Sequence, residues 1–112
     1  MNSVTVCLNM DEAIKRMGDR KIFLEIARYF ALRMPEALEE LTLALDTGDS
    51  AKAARHAHSM KSNCSTVGAE QLQEPCRTLE EMCRQGEIDN ARKLYAELVP
   101  RLLALRNVLL TL

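Results

Sequence analysis

The chain has 112 residues, of which 47% are hydrophobic, and it contains only four glycines and three prolines. A chain of this length can bury one sizeable core but is too short for two ordinary domains, so we expect residues 1–112 to form a single domain. Its formal net charge of −1 and its pI of about 6.1 argue against nucleic acid or an anionic membrane as the main partner, because both favour a basic protein surface.

The first predicted helix is short. Asn9 or Asp11 can accept hydrogen bonds from the free amides of its first turn, and Gly18 ends it. Residues 1–8 precede it as an N-terminal extension. The apolar positions of this helix are Met10, Ile14 and Met17. Their helical spacing predicts a small amphipathic lid over a larger core.

A long second helix is predicted from about Arg20 to Asp46, with Asp19 as its N-cap. Pro35 interrupts the pattern, so we expect either one kinked helix or two helices joined at this residue. The apolar residues at helical spacing are Phe23, Ile26, Phe30, Ala37, Leu41 and Leu45. We expect this stripe to face the core.

The third predicted helix starts at Asp49, after Gly48 has ended the second, and it stops at Gly68. One face of this helix has the spacing of a bundle core. Its residues are Ala53, Ala57, Met60, Cys64 and Val67. This face is therefore expected to be buried.

A fourth helix is predicted from Ala69 to Gln85 and a fifth from about Ile88 onward, and we expect Pro75 and Pro100 to kink them. The core stripe of the fourth helix is Leu72, Cys76, Leu79 and Cys83. The core stripe of the fifth helix is Ala91, Leu94, Leu98, Leu102, Leu105 and Leu109.

Short turns, of about two to four residues, join the long helices, and such turns force consecutive helices to pack antiparallel. We therefore predict an all-α fold: an antiparallel up-down-up-down four-helix bundle with a short extra N-terminal helix. We find no strand pattern, internal repeat or low-complexity linker in the sequence.

The sequence also bears on location and metal binding. No run is long and apolar enough to span a bilayer, and the first eight residues lack the regions of a signal peptide, so we expect a cytoplasmic protein. The cysteines Cys64, Cys76 and Cys83 fall on core positions and are expected to be reduced. Because the chain has no Cys-x-x-Cys or His-x-x-x-His pair, we expect no metal site.

His58 is the most distinctive position of the third helix. It lies roughly 140° around the helix from the core stripe, so we expect its imidazole at the surface. Small residues at Ala54, Ser62 and Ser65 are among its neighbours on that outer face, where they would let a partner approach closely. Lys61 follows three residues later, a spacing that brings helical side chains together. His56 borders the apolar stripe and lacks such surroundings, so we assign it a structural or neutral role.

The run Ala57-His58-Ser59-Met60-Lys61-Ser62, ending at Gly68-Ala69, resembles the active-site helix of histidine-containing phosphotransfer domains. That family usually reads Ala-His-x-Leu-Lys-Gly, then a few small residues, then Gly-Ala. Ser62 replaces the usual glycine but is still small, and Met60 replaces leucine but keeps the stripe apolar. Further matching features are Asp11-Glu12-Ala13, Phe30, Pro35, the Gly48-Asp49 turn, Leu79-Glu80, Gly86 and the final leucine-rich helix.

This resemblance implies that His58 carries a phosphoryl group between aspartates of receiver domains in a two-component phosphorelay. The expected partners are receiver domains of a hybrid sensor kinase, a response regulator or both, which would dock at Ala54, Ser62 and Ser65. Magnesium would belong to the receiver, so we expect no cofactor on this chain. A monomer suits a carrier that meets two partners through one face.

The residue types fit this chemistry. An imidazole has an ordinary pKa of about 6.5, so much of it is neutral and nucleophilic at pH 7. The ammonium of Lys61 can reach the oxygens of a phosphate on His58 and stabilise it. His58 lies ten residues before Gly68 and Glu80 lies twelve after it, so the two are expected at about the same height in a pair of neighbouring helices. Glu80 would then hold one ring nitrogen and orient the imidazole, by the logic of a carboxylate that fixes a catalytic histidine.

The sequence has no phosphate-binding loop or paired metal carboxylates that would generate the phosphate from ATP, so we expect a carrier and not an enzyme. The acidic runs Glu36–Glu40 and Glu80-Glu81 are interpreted most simply as solvated helix surface.

Two alternatives to a phosphoryl carrier remain open. The same bundle can instead be a non-catalytic module that binds a protein. It can also be a ligand-binding or metal-binding bundle, although we find no buried polar cluster that would form such a site.

Overall fold

The computed structural model describes residues 7–112, so most of the predicted N-terminal extension lies outside the described residues. All regular structure in residues 7–112 is helical, and it comprises five α-helices without a strand. They are α1 (Met10–Met17), α2 (Arg20–Asp46), α3 (Ser50–Thr66), α4 (Glu70–Arg84) and α5 (Ile88–Leu110). The prediction of an all-α chain is confirmed.

Polar side chains start the first three helices. Asn9, Asp19 and Asp49 each accept a hydrogen bond from a backbone amide in the first turn of the helix that follows. Such a cap typically stabilises a helix by about 1 kcal/mol. For α1, Asn9 is the cap and Asp11 lies inside the helix.

Proline residues lie inside three helices without dividing them. Pro35 lies within α2, Pro75 within α4 and Pro100 within α5. Each proline lacks the amide that would donate to the preceding turn, so the helix loses one hydrogen bond there. Of the two alternatives predicted around Pro35, the single helix is the one found.

The helices enclose one hydrophobic core. Helix α2 packs against α3, α3 against α4, α4 against α5, and α5 against α2, while α1 packs on α2. The predicted stripes of α3 and α4 are buried throughout. In α5 the stripe is buried except at Leu94, which is half-buried.

The prediction was wrong at two positions of the α2 stripe. Ile26 is 38% exposed and Ala37 is only partly buried. The buried residues of α2 follow each other at steps of mostly three and four, and they are Phe23, Ala27, Phe30, Ala31, Met34, Leu38, Leu41, Ala44 and Leu45. Ile26 is larger than Ala27, but the contacts of α2 with α3 and α5, and not side-chain size, set which arc is buried.

The turn between α3 and α4 holds the start of α1. The amide of Asn9 donates to the carbonyl of Gly68 at 2.8 Å. Gly68 has a φ of +82°, and a Cβ added there would lie 2.6 Å from the carbonyl oxygen of Asn9. Arg16, near the end of α1, donates to the carbonyl of Ser65 at 3.0 Å. These contacts fix α1 beside the C-terminal part of α3.

None of the described helices combines the length and hydropathy of a transmembrane span.

Candidate functional site

Helix α3 presents His58 to solvent. The side chain of His58 is 53% exposed, whereas Ala57 and Met60 beside it in the sequence are buried. The difference arises because successive residues of a helix point in different directions, and the imidazole lies outside the arc that meets the other helices.

Glu80 on α4 is the one charged side chain that is buried within residues 7–112, with 6% of its surface exposed. Its two carboxylate oxygens each lie 3.2 Å from Nδ1 of His58. Lys61 donates from Nζ to Oε1 at 3.0 Å, and Arg84 donates from Nη2 to Oε2. A buried carboxylate is tolerated when it is paired in this way. The interpretation of Glu80 as solvated surface was therefore wrong.

The ionisation of Glu80 follows from these contacts. Burial by itself raises the pKa of Glu80, but hydrogen bonds from Lys61, His58 and Arg84 stabilise the ionised form and bring the pKa below its ordinary value. Glu80 is then an anion at neutral pH, and an ionised carboxylate only accepts hydrogen bonds. Nδ1 of His58 must therefore carry the proton in this contact, and in the neutral ring the lone pair is then on Nε2.

An open cavity of about 360 Å³ lies beside the imidazole. Its lining residues are His58, Lys61, Arg77, Glu80, Glu81 and Arg84. Three of these side chains are cationic, and ammonium and guanidinium groups are the donors that bind phosphate oxygens in proteins. The cavity thus has the size and the charge to accommodate a phosphoryl group attached to the ring.

The predicted docking residues differ in exposure. Ser62 is exposed and Ser65 is half-buried, and both lie on the face of α3 that carries His58. Ala54 departs from the expectation, because it is only 6% exposed and belongs to the core. It lies seven residues, or two helical turns, before Lys61, whose side chain reaches Glu80 of α4. The contact of α3 with α4 therefore buries a wider arc than the predicted stripe.

Two cationic residues of the site were missed by the sequence analysis. Arg84 pairs with Glu80, and Arg77 lines the cavity and pairs with Glu74 at 3.4 Å. The spacing of Glu80 and Arg84, an acid four residues before a base, is a recognised helical ion pair and is the signal that points to Arg84. No comparable signal exists for Arg77, because its place at the cavity depends on how α3 and α4 pack.

His56 and the cysteines lie outside this cluster. Nδ1 of His56 is 3.7 Å from Glu40 on α2, and its side chain is 24% exposed. Cys64, Cys76 and Cys83 are buried and free. Burial is the first cause that raises the pKa of Cys83, and the charge of Glu80 adds to it. Among residues 7–112, no group of three or more His, Cys, Asp or Glu side chains is arranged to hold a metal ion.

Comparison with known proteins identifies the family. The Hpt domain family matches residues 25–109, a range that includes α3, α4 and every residue lining the cavity. Neither a search of curated proteins nor a search of solved structures gave a match. Hpt domains are phosphocarriers that take part in histidine phosphotransfer in two-component phosphorelays. They interact with receiver domains. The chain belongs to the Hpt domain family.

Proposed function

We propose that this chain carries a phosphoryl group on His58 between aspartates of receiver domains in a phosphorelay. The observation that carries the proposal is the contact of His58 with Glu80. It holds Nδ1 of an exposed imidazole against a buried carboxylate. Nε2, with its free lone pair, is then the nucleophile, and the partner receiver supplies the phosphoryl group.

The transfer of the phosphoryl group to His58 requires no additional proton donor. The lone pair of Nε2 attacks phosphorus, the bond between phosphorus and the receiver aspartate breaks, and its electron pair leaves with the carboxylate. The product carries the phosphoryl group on Nε2 and the proton on Nδ1, so the ring is cationic and faces the anion of Glu80. In the second transfer the P–N bond breaks, its electrons return to Nε2, and the phosphoryl group passes to the next aspartate.

Lys61 is proposed to stabilise the phosphoryl group. It lies one helical turn from His58, and its ammonium hydrogen-bonds to Glu80 at 3.0 Å beside the same cavity. The ammonium needs only a change of rotamer at the end of its long side chain to contact a phosphoryl oxygen. Magnesium is proposed to come with the receiver, and the chain itself needs no cofactor.

Docking of the receiver is proposed on the outer face of α3. Ser62 and Ser65 are small, so they leave room for a partner close to the imidazole. Ala54 contributes little to this face, since it is buried. Helix α3 exposes no large hydrophobic side chain, and a surface without a large apolar patch suits brief contacts with successive partners.

The same proposal extends to the whole chain. We infer that α2 to α5 form an antiparallel up-down-up-down bundle, because short turns connect helices that pack against each other in chain order. Residues 1–112 are proposed to act as one domain and as a monomer. The receiver partners would place it in the cytoplasm.

The proposal is tested by transfer from phosphorylated receiver domains with magnesium to the parent chain, to His58→Gln and to His56→Gln. We expect acid-labile, base-stable phosphate on the parent and on His56→Gln, and none on His58→Gln. If no receiver labels the folded parent while His58→Gln still binds the same partner, the chain is a non-catalytic interaction module and the proposal fails.

A further inference from the structure

Glu80 shares its hydrogen-bond donors with any phosphoryl group on His58. Its carboxylate accepts from Nδ1 of His58, from Lys61 and from Arg84. Lys61 and Arg84 also line the cavity beside the imidazole. Two of the three cations that line the cavity are therefore already paired with the same buried acid.

We propose that Glu80 is a positioning residue that keeps the phosphoryl group on His58 labile, so that the chain passes phosphate on and does not store it. This inference rests on the proposed function. The negative charge of Glu80 shortens the lifetime of the P–N bond, and the same carboxylate orients the ring.

The first effect concerns the leaving group. A carboxylate that accepts the Nδ1 proton favours the cationic form of the phosphorylated ring. When the P–N bond breaks in that form, the electron pair returns to Nε2 and the imidazole leaves as a neutral group that keeps its Nδ1 proton. A glutamine at position 80 can accept the same hydrogen bond through its amide oxygen, but without a negative charge it favours the cationic ring less.

The second effect concerns the cations. Each hydrogen bond that Lys61 or Arg84 donates to Glu80 uses an N–H group that is then not available to a phosphoryl oxygen. Loss of the charge at position 80 would free both side chains for the phosphoryl group and strengthen their hold on it. The two effects have the same sign, because both make the P–N bond shorter-lived in the presence of Glu80.

The charged surroundings of Glu80 come from two helices. Helix α3 contributes His58 and Lys61, and α4 contributes Arg77, Glu81 and Arg84 to the cavity, with the thiol of Cys83 also within electrostatic reach of Glu80. Within the described residues, no α5 side chain lines the cavity. Glu81 offers a matched control, because it lines the same cavity with the same charge and has no hydrogen bond to His58.

The test compares the parent chain with Glu80→Gln and Glu81→Gln. Each is phosphorylated by a receiver, the receiver and magnesium are removed, and the half-life of the acid-labile phosphate is followed at neutral pH. We expect Glu80→Gln to hold phosphate about threefold to tenfold longer than the parent, as expected when one charge-assisted hydrogen bond becomes neutral. Glu81→Gln should show a much smaller change.

A second readout needs no variant. The hydrolysis rate of phosphohistidine falls as the pH rises and the ring loses its proton. We expect this fall to occur at a higher pH in the folded parent than in the same phosphorylated chain unfolded in urea, because only the folded chain holds Glu80 against Nδ1.

The outcomes separate this inference from the proposed function. A parent chain that never acquires phosphate overturns both. A labelled parent whose half-life equals that of Glu80→Gln, or whose pH profile is the same folded and unfolded, overturns the effect of Glu80 alone. If Glu81→Gln lengthened the half-life of the phosphate as much as Glu80→Gln does, the inference would also be overturned. The half-life would then depend on the total charge of the cavity and not on the contact of Glu80 with His58.

Discussion

Nδ1 of His58 lies 3.2 Å from both carboxylate oxygens of Glu80, although the two residues are 22 positions apart in the chain. The turn at Gly68 brings α3 and α4 together so that a buried acid lies directly behind an exposed imidazole. The orientation of His58 thus depends on the packing of two helices, and its tautomer depends on one charge.

Removal of the Lys61 charge should impair both transfer and stability. Lys61→Met keeps the apolar stem but leaves Glu80 with one donor fewer in a buried position. We expect slower labelling by receivers and a free energy of unfolding lower by about 1–3 kcal/mol. Lys93→Met, which removes an exposed cation of α5, is the control and should change stability by less than about 0.5 kcal/mol. Unchanged transfer in Lys61→Met would contradict a role for this ammonium.

The stability of the chain should depend on pH through Glu80. Its pKa in the folded chain lies below the ordinary value of 4.5. Its ionised form therefore contributes stability that is fully present above the ordinary pKa and is lost as the pH falls through the lower folded-state value. In urea unfolding, the stability difference between the parent and Glu80→Gln should shrink as the pH falls from about 5 to about 3. A difference that stays constant over this range would mean that Glu80 contributes no such linkage.

Gly68 should tolerate a side chain poorly. Gly68 and Gly86 both have positive φ, of +82° and +75°, but only Gly68 has neighbouring atoms within reach of an added Cβ. Gly86→Ala is expected to cost about 1 kcal/mol for the left-handed backbone alone. Gly68→Ala should cost clearly more, because Asn9 must also move and α1 loses its fixed start. Equal melting temperatures for the two variants would show that the contact with Asn9 is dispensable.

The register of α2 can be checked with two leucines. Leu41 is 1% exposed and Leu43, two residues later, is 59% exposed. Leu41→Ala should lower the free energy of unfolding by about 2–5 kcal/mol, since it leaves a cavity in the core. Leu43→Ala should change it by less than about 0.5 kcal/mol. Similar losses in chemical denaturation would place the buried face of α2 elsewhere.

Helical spacing predicts much of this fold from the sequence. The stripes of α3 and α4 were correct because each consists of apolar or small residues at regular steps, with mostly polar residues on the remaining positions. In α2, the predicted stripe included Ile26 and omitted Ala27, whereas the packing of the neighbouring helices buries the alanine. A pattern in one helix indicates a face but not how wide an arc its neighbours cover.

The site was predictable in part for a similar reason. The spacing of His58 and Lys61 lies within one helix and can be read directly from the sequence. The position of Glu80 along the next helix, level with His58, follows from the similar distances of the two residues from the turn at Gly68. The burial of Glu80 could not be inferred from its charge, since an unpaired acid on a helix is ordinarily solvated. Arg77 becomes a cavity residue only when α3 and α4 are in contact.

We propose that the phosphoryl group is carried on Nε2 of His58 while Nδ1 keeps its proton against Glu80. NMR of the chain labelled at its histidine nitrogens, before and after phosphorylation by a receiver, distinguishes the two ring nitrogens. We predict coupling to phosphorus at Nε2 of His58 and a proton retained on Nδ1, with His56 unchanged. Phosphorus coupling at Nδ1 of His58, or at His56, would show that Nε2 of His58 is not the phosphoryl acceptor.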